Sequence, residues 1–288
     1  MKKHSLMPLP AESIWGEGEL IINSDFRVGL LNCVDPRLER AASRLVERMV
    51  EQTGIAMNRN LADTKSHAQL LIQVDEETPK IQRAKEDESY SLKINHNGAV
   101  LRSPTLYGAL QGIETFIQLI RLDKYGFVVP AIQITDGPRF HWRGLLVDAS
   151  RHWIPPSVIK RNLEAMSMVK LNVLHWHLTD DQGFRVESKQ YPKLHELGSD
   201  GMFYTQEDVR EIVEFASDLG IRVLPEFDMP GHTSSWFVAY PELASAPGPY
   251  QIKRKWGGFG ATMDPTKEET YTFISNFLSE MATLFPDP

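Results

Sequence analysis

Apolar residues in the second half of the chain follow two alternating rhythms. Short continuous runs, Leu145 to Asp148, Leu171 to Leu178 and Ile221 to Phe227, read as strands. Stripes at helical spacing lie between and after them. The first is Val158, Ile159, Leu163, Met166 and Val169, opened by Pro155-Pro156-Ser157. The second is Val209, Ile212, Val213, Ala216 and Leu219, with Thr205 and Asp208 as a shortened capping box and Gly220 as the stop. The third is Tyr271, Ile274, Phe277, Leu278, Met281 and Leu284, started by Thr266 with Glu269. Strands joined by helical crossovers predict a parallel sheet. Each strand run ends in Asp, Arg or His, which is how a barrel presents chemistry at its C-terminal strand ends. A closed barrel takes eight such units, about 250 residues. The expected fold class is therefore α/β, a partial (β/α)8 TIM barrel comprising its first three units over 137–288.

The first half has a mixed pattern and predicts a small α+β supporting domain over 1–136. Leu38, Leu45, Met49 and Val50 fit a helix that Gly54 ends. Gln69 to Val74 and Tyr90 to Asn95 alternate as strands, and Asn97-Gly98 predicts a hairpin into Ala99–Arg102. Pro104 to Leu122 predicts a second helix, with Leu106, Leu110, Ile113, Phe116, Ile117 and Ile120 on one face. Thr78 to Ser89 is charged and is expected to be a solvated loop. Asp136-Gly137-Pro138 marks the boundary. No nucleophile, metal cluster or phosphate loop stands out in this half.

Charge and cysteine content narrow the partners. The formal net charge is -7 over 288 residues, which argues against nucleic acid or an anionic membrane surface. Cys33 is the single cysteine, so no intrachain disulfide or thiolate metal site can form, and it is expected to be a small buried hydrophobe. No run approaches the roughly 18 apolar residues of a membrane span. Pro8 and Pro10 interrupt any signal-like N-terminus, so the chain is expected to be soluble, cytoplasmic unless a signal was removed from an exported or periplasmic protein.

Candidate chemistry sits at the strand ends. Period-two alternation places His175 and His177 on one face of their strand and Trp176 and Leu178 on the other. His-x-His is a metal-ligand spacing, and a hydrogen-bonded core pair is the alternative. Asp180 and Asp181 follow at the strand end. Asp228 precedes His232 by four residues, with Pro230 and Gly231 forming a tight turn that can aim both inward. Such an Asp–His pair can orient and charge a neighbouring acid. Arg151 lies just past the first strand and could grip two adjacent sugar hydroxyls or pair with Asp180.

Several of these runs together resemble the family 20 glycoside hydrolases, the β-N-acetylhexosaminidases. They are Leu6-Met7-Pro8-Leu9-Pro10, Ser103 to Ile120, Arg143 to His152, His175 to Gln182, Tyr191-Pro192-Lys193-Leu194 and Pro225 to His232. The resemblance implies that Arg151 holds hydroxyls of a terminal sugar. It also implies that Asp180 and His232 surround the catalytic acid and that Asp228 supports the same network. The implied substrate is a glycan or glycoconjugate ending in N-acetylglucosamine or N-acetylgalactosamine, with no metal or other cofactor. The implied mechanism is the substrate-assisted variant of retaining hydrolysis, in which the acetamido oxygen attacks the anomeric carbon.

The family's Asp-Glu pair, which steadies the acetamido nitrogen and protonates the leaving oxygen, follows a Phe-Pro within a His-x-Gly-Gly-Asp-Glu run. Here Phe285-Pro286 is followed by Asp287-Pro288, and the Asp-Glu dipeptides Asp75-Glu76 and Asp87-Glu88 are expected to be exposed loop charges. The expectation is an N-terminal fragment, inactive alone. The alternatives are a non-catalytic sugar-binding remnant and a metal-dependent barrel hydrolase using His175 and His177.

Overall fold

The computed structural model describes residues 6–31, 35–62, 67–257 and 260–287. Cys33 lies outside them. Backbone contacts divide the chain into two units, the first running to Arg143 and taking in 166–171 and 218–220, the second holding the remainder.

The first unit contains a seven-stranded mixed sheet. Its strands are β1 (Glu12–Ile21), β2 (Val28–Leu31), β3 (Leu70–Val74), β4 (Tyr90–Asn95), β5 (Gly98–Ser103), β6 (Arg121–Asp123) and β7 (Gly126–Asp136). Their order is β1-β7-β4-β5-β3-β2, with β6 paired to β7. β3 runs parallel to β2 and β5, and the other pairs are antiparallel. In β4 the alternation is strict: Tyr90, Leu92 and Ile94 are buried while Lys93 and Asn95 are exposed. The buried face joins two helices, α1 (Pro36–Thr53) and α2 (Leu106–Leu119), in one core that includes Leu38, Leu45, Met49, Leu92, Leu101 and Phe116.

Both helices start on side-chain caps, Asp35 accepting from the Arg37 N–H at 2.9 Å and Thr105 from the Gly108 N–H at 3.3 Å. Gly54, at φ 69°, ends α1 in the left-handed conformation. In α2, Gly108 and Gly112 let the helix approach the strands. A methyl on the first would overlap the Ser89 carbonyl, and one on the second the Leu101 side chain.

Several expectations for this unit need correction. β1, β2, β6 and β7 were not foreseen. β1 is a polar edge strand, and β7 carries Pro130, which reads as a strand breaker. The proline is tolerated because it sits opposite Glu19, at the end of a register shift in β1. The hairpin turn falls on His96-Asn97, since Asn95 already pairs with Gly98. The second helix stops at Leu119, and Arg121 resumes as a strand. The segment 78–89 is partly buried: Thr78 Oγ1 accepts the Leu106 N–H at 2.9 Å. Glu88, expected to be exposed, is buried in an ion pair with Arg143 and accepts from Gln111 Nε2 at 2.9 Å.

The second unit is built on parallel strands β8 (Gly144–Asp148), β9 (Val173–Asp180) and β11 (Arg222–Phe227), with β9 in the centre. A short β10 (Gly183–Phe184) folds back antiparallel on the end of β9. The helices are α3 (Pro156–Met168), α4 (Lys193–Gly198), α5 (Gln206–Asp218), α6 (Ser234–Ala239) and α7 (Glu268–Met281), with a 3-10 turn at Pro241–Leu243. One face of β9 buries Trp176 and Leu178. Side chains in register on the other face form two rows, Leu146–His175–Leu224 and Asp148–His177–Glu226. Leu146 and Leu224 remain 51% and 38% exposed there.

The reciprocal Thr205–Asp208 cap is present, with the Asp208 N–H reaching Thr205 Oγ1 at 3.1 Å and the Thr205 N–H reaching Asp208 Oδ2 at 2.8 Å. The last helix differs from its expected start. It begins at Glu268, and Thr266 instead donates to Asp264. Its buried stripe is Phe273, Phe277 and Met281, leaving Tyr271 and Leu278 exposed.

Candidate active site

The polar ends of the three parallel strands converge on the carboxylate of Asp180. This residue closes β9 and is wholly buried. A buried carboxylate is costly unless its oxygens are engaged. Oδ1 accepts from the Asp181 N–H at 2.6 Å and lies 3.1 Å from His232 Nδ1. Oδ2 has Arg151 Nη2 at 2.5 Å, a charge contact whose angle is not that of a hydrogen bond, and His177 Nε2 at 3.4 Å.

Arg151 is held from below by Asp148. The Arg151 N–H donates to Asp148 Oδ1 at 2.9 Å, and Nη1 donates to Oδ2 at 2.7 Å. The guanidinium also lies under the exposed ring of Trp256, 5.2 Å from its centroid. Asp228 follows the end of β11, where its N–H donates to Thr179 Oγ1 at 3.0 Å. The Met229-Pro230-Gly231 turn then brings His232 round in a left-handed backbone conformation, φ 55°, which costs a non-glycine residue energy. One side-chain ligand atom from each of Asp180, Asp228 and His232 lies within 4.8 Å of the others.

The electrostatics separate the carboxylates. Burial raises the Asp228 pKa, reinforced by Asp180 and Glu226, and His232 and His177 only partly offset it. Asp148 goes the other way: burial would raise it, but the hydrogen bonds from Arg151 outweigh that and hold it below the ordinary carboxylate value. Desolvation likewise works against the Arg151 charge, and Asp148 and Asp180 more than restore it. Of the two carboxylates Asp148 and Asp228, Asp228 therefore has the greater tendency to hold a proton, and Arg151 stays a cation.

Arg151, Asp180, Asp228 and His232 thus lie together, and of the two roles open to Arg151 the pairing with Asp180 is present in the structure. Asp181 does different work. Its Oδ1 accepts the Ser234 N–H at 2.9 Å and its carbonyl accepts the Lys253 N–H at 3.0 Å, tying the start of α6 and the loop at Lys253 to the end of β9. His175 and His177 do not act as a pair. His175 Nε2 sits 2.5 Å from Glu226 Oε2, while His177 Nε2 lies 2.9 Å from the Thr179 carbonyl. A carbonyl can only accept, so His177 carries its proton on Nε2, and that nitrogen has no lone pair to offer a metal. The histidine that groups with acids at metal-like distances is His177, with Glu226 and Asp228; His175 is not in the group.

Asp148, Glu226 and Trp256 were not singled out from the sequence. A signal existed for two of them: Asp148 ends its strand as Asp180 does, and Glu226 precedes Asp228 by two, hence on the same face. Trp256 sits in a Gly-rich loop with no periodicity to mark it.

The catalytic-domain model of glycosyl hydrolase family 20 matches residues 140–288. The chain belongs to this family. A second family model, "beta-acetyl hexosaminidase like", matches residues 6–119. Among relatives of this family 20 chain, human beta-hexosaminidase subunit beta is 45% identical over 204 residues, 70% of this chain and 36% of that protein. The Porphyromonas gingivalis beta-hexosaminidase is 32% identical over 98% of this chain and 37% of its own length. Among solved structures, Flavobacterium johnsoniae chitobiase superposes with a TM-score of 0.93 at 41% identity, covering 98% of this chain and 43% of that one. Streptomyces plicatus N-acetyl-beta-hexosaminidase gives 0.87 at 26% identity over 98% of this chain and 57% of that one. The family 20 chain thus spans well under two thirds of the length of these proteins.

Proposed function

We propose that residues 1–288 are the front part of a β-N-acetylhexosaminidase: a supporting α+β domain followed by the first three units of a (β/α)8 barrel. The substrate is a glycan with a terminal non-reducing N-acetylglucosamine or N-acetylgalactosamine. The observation that carries the proposal is the convergence of Arg151, His232 and Asp228 on the buried Asp180 at the C-terminal ends of parallel strands. This is where a barrel of this kind binds its substrate. In the substrate-assisted mechanism the acetamido oxygen is the nucleophile, so the protein has to grip the ring, orient the acetamido group and deliver one proton. Arg151, fixed by two carboxylates, grips ring hydroxyls with its remaining donor capacity. Asp180, Asp228 and His232 form the charged floor on which a proton donor is oriented.

The 288 residues contain no Asp-Glu pair in the family context, and the buried Glu88 and exposed Asp75-Glu76 belong to the first unit. General acid catalysis contributes typically about 10²–10⁴-fold. The expectation is that purified 1–288 releases no nitrophenol from an aryl N-acetylglucosaminide above background. A longer product of the same gene that supplies Asp-Glu should be active and lose activity when that Glu becomes Gln. Turnover by 1–288 at an ordinary enzymatic rate would overturn the assignment of the acid. In the active product Arg151→Ala should lower kcat/KM by about tenfold to a hundredfold, the loss of one charge-assisted hydrogen bond. Wild-type kinetics in a folded variant would remove Arg151 from the substrate site.

A further inference from the structure

Arg185 directly follows β10 and is buried. All five of its side-chain N–H groups are used, and every acceptor is a main-chain carbonyl. Nε and Nη2 donate to Ser150 at 3.1 and 3.0 Å, and Nη2 also reaches Gln182 at 3.2 Å. Nη1 donates to Ser199 at 2.6 Å and to Met202 at 3.1 Å. Burial works against the charge and lowers the pKa of the group. An apolar side chain would fill the same space without that cost. The arginine is therefore explained by what it holds rather than by packing.

What it holds is the root of the site. Ser150 immediately precedes Arg151, and the peptide between them is fixed at both polar atoms. Arg185 holds its oxygen, and Asp148 Oδ1 accepts its N–H at 2.9 Å. Gln182 lies in the turn that follows Asp180 and Asp181, and Ser199 and Met202 lie just beyond α4. One planar group thus ties the backbone under Arg151 to the end of β9, and the rigid fork of donors sets their spacing. Gly183 makes room for it, since a methyl there would overlap the guanidinium. Ser150 Oγ closes the same contact by donating to the Gly183 carbonyl at 2.7 Å.

We propose that Arg185 is a positioning residue for glycan hydrolysis, setting the peptide from which Arg151 reaches the sugar hydroxyls and its spacing from Asp180. The inference rests on the hexosaminidase reading above and deepens it. A lysine would keep the charge, but three donors on one nitrogen cannot span the carbonyls of Ser150, Gln182, Ser199 and Met202 together.

The test is a double-variant cycle in the longer gene product that supplies Asp-Glu, read as kcat/KM for an aryl N-acetylglucosaminide. Arg185→Lys should lower it by about tenfold to a hundredfold, the scale on which a slightly misplaced binding group is felt. Gly183→Ala displaces the guanidinium while leaving Arg185 in the chain, and should give a loss of the same order. In the Arg151→Ala background either change should cost under about threefold, because the group being positioned is gone. A general loosening of the fold would cost the same factor in both backgrounds, and that result would overturn the proposal, as would wild-type kinetics for Arg185→Lys. Melting followed by circular dichroism checks that each variant is folded. If neither Arg185→Lys nor Gly183→Ala folds, Arg185 is a folding hub and the positioning role falls. All these results leave the hexosaminidase reading standing. That reading fails if the longer product is inactive, and the positioning role then falls with it.

Discussion

The two sheets of this chain show how the same alternating pattern serves different ends. In β4 of the first unit the inward residues Tyr90, Leu92 and Ile94 all disappear into a continuous apolar core. In β9 of the second unit only one face does so, through Trp176 and Leu178. Its other face presents His175 and His177 in rows with Glu226, Asp148 and two half-exposed leucines. The first sheet uses its alternation to gain stability. The second gives up burial on one face and there gathers Arg151, His177, Asp228 and His232 around the hidden carboxylate of Asp180. Burying charge is unfavourable unless each partner is present, so the second unit holds together at that end only as a complete set.

The contrast can be broken most strongly at Arg151. Arg151→Ala leaves Asp180 buried with a weaker partner set, and removing one member of a buried pair costs about 3–5 kcal/mol. The remaining His232 contact and the 23% exposure of the Arg151 side chain place the expected loss near the lower figure. Four of the six tryptophans, Trp153, Trp176, Trp236 and Trp256, belong to the second unit, so urea unfolding followed by tryptophan fluorescence reads it. An unchanged midpoint would show that Asp180 is sustained without Arg151.

The next effect should be in the first unit. Gly108→Ala pushes a methyl into the Ser89 carbonyl, a backbone atom that cannot rotate away. Overpacking of this kind costs about 1–3 kcal/mol. Hydrogen exchange of the β4 and β5 amides should accelerate accordingly, with the β9 amides unaffected. Equal acceleration in both sheets would contradict the separation into units.

A subtler effect concerns Asp228. Its folded pKa is raised by burial, so the stability associated with its protonated form is fully present below the unfolded value of 3.8 and is lost as pH rises through the folded value. Asp228→Asn does not titrate and should melt at a higher temperature than wild type at neutral pH, the difference vanishing near pH 3. A variant less stable than wild type at neutral pH would mean that the Asp228 carboxylate is favourably paired. Smallest of all, Leu146→Ala, on the open face at 51% exposure, should change stability by roughly 0.5 kcal/mol or less. A loss of about 2 kcal/mol or more would show that this face is covered in solution.

Much of this was legible in the sequence because local rules carried it. The three parallel strands, the Thr205–Asp208 cap, the Gly54 stop and the Arg151–Asp180 pairing follow from period, capping chemistry and position at strand ends, while the grouping of Asp228 and His232 with Asp180 was what the family resemblance implied. The misses share a physical cause, which is that partners distant in sequence override local composition. Glu88 looked like a solvated loop charge until Arg143, 55 residues later, buried it. The strand β7 carries Pro130, a residue that disfavours a central strand, and its place opposite Glu19 at the end of a register shift in β1 depends on a segment more than a hundred residues earlier. Asp181 looked interchangeable with Asp180, yet only the fold shows that one carboxylate faces the guanidinium and the other holds the amide of Ser234.

The way the basic loop at Lys253, Arg254 and Lys255 is fastened has a practical consequence. Its attachments to the end of β9 use main-chain atoms on the loop side: the Lys253 N–H meets the Asp181 carbonyl, and the Lys255 carbonyl receives Gln182 Nε2 at 3.1 Å. Its base is closed by another main-chain bond, from the Ser245 N–H to the Thr262 carbonyl at 2.9 Å. None of these depends on which side chains the loop carries. The segment is therefore a cassette seated in a fixed socket. Side chains of the loop could be exchanged without removing these main-chain attachments, whereas a graft of equal length would also have to replace Arg254, which pairs with Asp200, and Trp256, which lies over Arg151.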